Sequence, residues 1–225
     1  MEAALNALQA SADYSYGQSL IRLENPTDDY LSDVVHAQVQ RDGELDKNAI
    51  VVHIRSMFLA AYHTTAAMLA AATVHMATMP DKQQELRDDP MKLRKFVEES
   101  VRLEGPLQWH PRIAMKDTNV AGTDIPEGSI VFVSFAAASH DPAKFEDPYV
   151  FDASRRNLAQ HLSFGAGPHR CPGAPVARMY AQAAFTQLLA RTKTFTLDED
   201  TSDLTPLPGF NFRIPTRVVI RFEKA

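Results

Sequence analysis

At 225 residues, 45% of them hydrophobic and 23% charged, the chain has enough apolar material for one large domain or two small ones with a sizeable core. Its net charge of -5, with scattered basic residues, excludes a surface that steers toward nucleic acid or an anionic membrane. One cysteine excludes an intramolecular disulfide, and the absence of a basic, apolar leader over residues 1–10 points to a reducing cytoplasm.

No strong periodicity marks residues 1–26. Residues 27–40 predict a short helix with Asp28 and Asp29 in its first turn, ended by the Arg41-Asp42-Gly43 turn. Ile50, Ile54, Phe58, Ala61, Thr65, Met68 and Ala72 recur at helical spacing, which predicts one long helix over 47–79, stopped by Pro80. Its most apolar stretch, 57–74, carries Tyr62, His63, Thr64 and Thr65 at the centre, so the expectation is a buried core helix rather than a bilayer span. Pro80 and Pro90 open further helices over 81–87 and 91–104, the second closed by Gly105-Pro106.

Composition then changes. Arg112-Ile113-Ala114, Asn119-Val120-Ala121 and Ser129-Ile130-Val131-Phe132-Val133 predict short strands around the Pro126-Glu127-Gly128 turn. A loop-rich section over 138–173 precedes a helix with Val176, Tyr180, Ala184 and Leu188 along one stripe, and a last strand over 217–221. The fold class expected is mainly α with small β-sheets, α+β. A loop section of that length inside a folded chain implies that it clasps something.

That section ends in Phe164-Gly165-Ala166-Gly167-Pro168-His169-Arg170-Cys171-Pro172-Gly173, which holds the sole cysteine just before a helix. Glycine-rich backbone can turn its N–H groups toward a sulfur, and a helix start adds positive potential; both favour a thiolate, whereas a lone cysteine without them is an inert buried thiol. In Phe96-Val97-Glu98-Glu99-Ser100-Val101-Arg102, Glu99 and Arg102 are spaced i, i+3 on one side of a helix. Glu98 and Arg102 are spaced i, i+4, which on a solvated face is an ion pair worth about 0.3–0.5 kcal/mol. On the long helix, Ala60-Ala61-Tyr62-His63-Thr64-Thr65 places a histidine beside threonine hydroxyls; a threonine there also back-bonds within its own helix.

These three segments together resemble the cytochrome P450 superfamily, over about residues 27–225, and correspond to the carboxy-terminal, haem-binding half of its members. The resemblance implies a single partial domain over 1–225, with a helical part at 27–104 and small sheets, meander, haem loop and following helix at 105–225. It implies haem b, iron protoporphyrin IX, with Cys171 as the metal ligand and Phe164, Gly165 and Gly173 shaping the cofactor-binding loop. Arg112 and His169 occupy positions that hold haem propionates in the family. Glu99, Arg102 and Arg155 correspond to its structural carboxylate–arginine network, with Arg156 as the register alternative, and His161 buttresses the loop.

Thr64 and His63 stand in the family's oxygen-activation motif, as the catalytic pair, with His63 where an acid is usual and Ala61 where a glycine is usual; either His63 substitutes for the acid or the chain has moved toward peroxide use, another reaction or inactivity. The function implied is a haem-thiolate monooxygenase, or its haem-binding portion, that oxidises a small organic substrate with dioxygen and electrons from a ferredoxin-type donor, docked in part by Arg170. The alternative is a truncated non-catalytic fragment, or one half of a split protein whose partner chain supplies the amino-terminal half. Neither nucleic acid nor membrane is an expected partner, and the expected location is cytoplasmic.

Overall fold

Polar caps set the helix starts in this chain more than apolar stripes do. The computed structural model describes residues 2–225, which form two units, one running to Tyr62 and the other His63–Ala225.

The first unit holds α1 (Glu2–Glu24), α2 (Tyr30–Asp42) and the first part of α3 (Lys47–Ala77). In α1 the buried residues are Ser15 and Ser19, with Ser19 Oγ donating to the Ser15 carbonyl at 2.9 Å, while Leu5, Leu8, Leu20 and Ile21 are exposed. Asp29 is the N-cap of α2 rather than a first-turn residue: it accepts from the Ser32 N–H at 2.8 Å and from Arg22 Nε at 2.7 Å. Asp46 accepts from the Asn48 N–H at 2.8 Å at the start of α3. Val35, Ile50 and Val51 form this unit's core.

Residues 57–62 correct the expectation of a buried helix, since Phe58, Leu59 and Tyr62 are 67%, 59% and 62% exposed. Among the described residues, α3 is the one helix long and apolar enough by composition to cross a membrane, but its polar tetrad Tyr62-His63-Thr64-Thr65 would have to leave water there.

In the second unit the end of α3 continues into a 3-10 turn at Pro80–Lys82, α4 (Gln83–Asp88) and α5 (Pro90–Leu103). Asp89 caps α5, accepting from the Met91 N–H at 2.8 Å, with Pro90 at the first helical position where no donor is lost. Four antiparallel pairs follow: β1 (Trp109–Ile113) with β4 (Ile130–Ser134), β2 (Thr118–Val120) with β3 (Thr123–Ile125), β5 (Thr192–Leu197) with β8 (Ile220–Lys224), and β6 (Asp203–Pro206) with β7 (Pro215–Arg217). The last predicted strand is thus divided between β7 and β8.

Between β4 and α7 (Ala174–Arg191) lie the short α6 (Phe135–Ser139) and two 3-10 turns. The buried face of α7 is Ala181, Phe185 and Leu189; the predicted stripe is turned outward, with Val176 and Tyr180 47% and 55% exposed. That face joins Met68, Ala72, Met76, Leu93, Phe96 and Val101 in the unit's core. Gln83, 1% exposed, pins the core's rim: its Nε2 donates to the carbonyls of Met76 at 3.1 Å and Phe195 at 2.7 Å, and its Oε1 accepts from the Phe195 N–H at 3.1 Å.

Candidate functional site

The segment 162–174 is shaped by its own backbone. The Gly165 N–H donates to the Leu162 carbonyl at 2.8 Å, the Arg170 N–H to Gly167 at 3.0 Å, and the Cys171 N–H to Phe164 at 2.8 Å. Gly165 and Gly167 sit at φ +67° and +66°, where a side chain is strained, so both turns call for glycine. Cys171 is exposed three residues ahead of α7, whose N-cap is Gly173, and a Cβ added to Gly173 would lie 3.8 Å from Cys171 Sγ. His169 and Arg170 are exposed beside it, while Phe164 is half-buried.

Glu98 supports the loop from α5 and does not form the i, i+4 surface pair with Arg102. It accepts from Arg178 Nε at 2.8 Å and from a second Arg178 nitrogen, Nη2, in a bidentate clamp. The Arg178 guanidinium lies over the Phe164 ring, 4.4 Å from its centroid. His161 Nδ1 accepts the Ser163 N–H at 3.2 Å, which leaves the ring proton on Nε2 to donate to Glu98 Oε1 at 2.8 Å. Burial pushes the Glu98 carboxyl up, but the hydrogen bonds from Arg178 and His161 outweigh it and bring it down to about 2.

Glu99 belongs to a second network. Arg102 donates to it through Nε at 2.7 Å and Nη2 at 2.8 Å, with both side chains fully buried. Arg155 Nε adds a bond at 3.1 Å and the Asp152 N–H another at 2.9 Å. Arg102 Nη1 reaches the carbonyls of Ser139 at 2.8 Å and Pro148 at 2.7 Å; Arg155 reaches those of Glu146, Asp147 and Val150. Two guanidinium groups therefore hold the backbone of 139–155 against α5, a task that needs a planar fork of donors. Arg156 is exposed, which separates the two register choices.

Sequence reasoning missed two supports. Gly105 follows α5 where an added Cβ would meet Ser163 Oγ at 3.0 Å and the Val101 carbonyl at 3.2 Å, so a side chain there would crowd this close approach of α5 to the loop. His75, on α3, packs against Phe151 with ring centroids 5.0 Å apart. Its Nδ1 is buried with no hydrogen-bond partner among the described residues. Burial drives its pKa down to about 4, against the opposing pull of Glu99.

The other predicted residues lie on α3, β1 and the segment after β6. His63 is exposed and Thr64 half-buried on α3. Arg112, half-buried on β1, bonds through Nη1 to His110 Nδ1 at 3.0 Å and to the Pro111 carbonyl at 2.9 Å. Phe210, 81% exposed, packs edge-on against Trp109 at 4.5 Å, and Trp109 against Phe132 at 4.6 Å.

The donor chemistry suits a porphyrin iron: one exposed soft sulfur, Cys171, with the exposed His169 and Arg170 beside it in the loop.

Comparison with known proteins agrees. The family model described as Cytochrome P450 matches residues 12–219. Cytochrome P450 144 of Mycobacterium tuberculosis is 37% identical over 186 residues, covering 83% of this chain and 42% of that protein. The 6-deoxyerythronolide B hydroxylase of Saccharopolyspora erythraea is 33% identical over 183 residues, covering 81% and 45%. The substrate-free form of Mycobacterium marinum cytochrome P450 CYP150A6 superimposes with a TM-score of 0.89 at 32% identity, covering 98% of this chain and 56% of that one. The chain thus spans about half the length of the curated relatives it matches.

Proposed function

The chain belongs to the cytochrome P450 family, and from that premise we propose that it is a haem-thiolate monooxygenase, or the haem-binding portion of one, acting on a small organic substrate. The observation that carries this reading is the loop of residues 164–173, which presents the sole, exposed cysteine ahead of α7, with the Arg178 guanidinium fixed over Phe164 of the same loop. Haem b, when bound, supplies the iron at which dioxygen is reduced with external electrons.

Each of the chain's own residues then has a bounded task. Cys171 presents a thiolate Sγ to the metal, and Phe164 limits water on that side. Gly165 and Gly173 would leave room beside Cys171 for a porphyrin. His169 and Arg112 offer cations for two propionate carboxylates, whose burial would otherwise be costly. Glu99, Arg102 and Arg155 hold the meander so that the loop keeps its shape. His63 and Thr64 would hold and pass protons for that chemistry, through an imidazole nitrogen and Oγ1, with His63 doing the work of a carboxylic acid. A ferredoxin-type protein is the fitting electron donor and Arg170 an exposed cation for docking it. The sole cysteine and the bacterial origin of the relatives favour the cytoplasm.

One observation favours a second reading, a half-protein completed by another chain: Phe58, Leu59 and Tyr62 lie exposed along α3. Co-expression with a polypeptide matching the rest of a relative's length, followed by sedimentation, tests this reading: a stable complex supports it, and a chain that sediments alone overturns it.

The proposed activity is tested by loading the chain with haem and supplying a chemical reductant, a panel of small apolar substrates and isotopically labelled dioxygen. One labelled oxygen atom in the product, absent with Cys171→Ala, is expected. Loaded protein that leaves every substrate unlabelled, or equal labelling by Cys171→Ala, overturns the proposal.

A further inference from the structure

Arg178 lies seven residues after Cys171, in the first half of α7. Its guanidinium covers the ring of Phe164, the residue whose carbonyl accepts the Cys171 N–H. Glu98 clamps two of its nitrogens, and His161 donates to Glu98 Oε1, the oxygen that also takes Arg178 Nη2. His161 is in turn oriented by the N–H of Ser163, the neighbour of Phe164. The contacts therefore close a ring: Ser163, His161, Glu98, Arg178, Phe164 and back along the chain. Arg178 and Glu98 have side chains only 25% and 12% exposed, so their charges are poorly screened. The guanidinium thus packs on the ring of the very residue that accepts the Cys171 N–H, and its hydrogen bond to Glu98 strengthens its hold on its proton despite burial.

This arrangement exceeds what holding the loop requires. The Glu99 network already fixes the meander, and an apolar residue at 178 would pack on Phe164 without importing a charge. We propose that Arg178 is the electrostatic positioning residue of the Cys171 centre: its charge, balanced by Glu98 and kept in place by His161, sets how readily an iron held by that sulfur accepts an electron. The inference rests on the reading of Cys171 as the iron ligand. A cation near the metal favours its reduced form, since reduction removes one unit of positive charge from the site. An anion near the metal does the reverse.

The test is the one-electron midpoint potential of the haem-loaded chain, measured at one pH and ionic strength for the wild type, Arg178→Gln, Arg178→Lys and Glu98→Gln. Arg178→Gln leaves the Glu98 carboxylate unbalanced and is expected to disfavour reduction roughly tenfold, a fall of about 59 mV for a one-electron couple. Glu98→Gln leaves the guanidinium unbalanced and shifts the potential the opposite way. Arg178→Lys restores most of the loss, because it returns the charge without the fork. Arg178→Gln and Glu98→Gln both break the same ion pair, so mere loosening of the loop would move both in one direction. Shifts of the same sign, or potentials equal to the wild type in proteins with a thiolate-type spectrum, overturn the inference and leave the ligand assignment standing. A wild type that binds haem without a thiolate-type spectrum overturns both.

Discussion

Glu98 and Glu99 are adjacent on α5 yet serve separate networks: Glu98 faces Arg178 and His161, and Glu99 faces Arg102 and Arg155. The first braces the loop around Cys171 and the second the meander before it. Removing the Glu99 charge strands two guanidinium groups that are almost fully buried. Glu99→Gln is therefore expected to cost about 3–5 kcal/mol in chemical denaturation. Arg102→Lys should also destabilise strongly, since an ammonium cannot span Glu99 and the carbonyls of Ser139 and Pro148 together.

The meander offers a contrast between neighbours. Arg155 has a side chain 7% exposed and donates to Glu99 and three carbonyls, whereas Arg156 is exposed. Arg155→Ala should lower stability by several kcal/mol, and Arg156→Ala should stay within about 0.5 kcal/mol of the wild type. Equal effects in parallel urea titrations would mean that the register is wrong.

His75 predicts a pH dependence with a definite sign. Its pKa is about 4 in the folded chain, against 6.5 when unfolded, because burial disfavours the imidazolium. Between those values the unfolded chain binds more protons, so His75 adds a destabilisation that is absent above pH 6.5 and grows as pH falls to about 4, reaching about 3 kcal/mol. Glu98 works in a lower window: its pKa falls from 4.5 to about 2, so its stabilisation is present above 4.5 and lost only toward 2. His75→Leu should accordingly flatten the melting temperature between pH 6.5 and 4.5. An unchanged slope would assign that window to another group.

Under the proposed chemistry, His63 is the proton donor where relatives of this motif use an acid. His63→Ala should lower the fraction of consumed electrons recovered as product, and His63→Glu should preserve it. Equal coupling in all three proteins would remove His63 from proton delivery.

The Cys171 loop and the Glu99–Arg102 spacing are legible in sequence because each depends on short spacings with fixed residue types, whereas Arg155, 56 residues from Glu99, is reached only through the family resemblance. Long-range pairing has no such local signal. The partners of Glu98 lie 63 and 80 residues away, so local spacing offered only Arg102. Helix α1 escaped notice because it buries Ser15 and Ser19 and exposes its leucines, reversing the pattern that marks an amphipathic helix. On α7 two apolar stripes compete, and tertiary packing selects the one through Ala181, Phe185 and Leu189. Strand β3 is three residues long and β6 is exposed throughout, so neither carries the alternation that would reveal it.

The most direct test of the central claim is the absorption spectrum of the haem-loaded chain, reduced under carbon monoxide, beside that of Cys171→Ala. The account predicts a thiolate-type Soret band in the wild type and its loss in the variant. The same band in both proteins, or a histidine-type band in the wild type, would contradict Cys171 as the ligand.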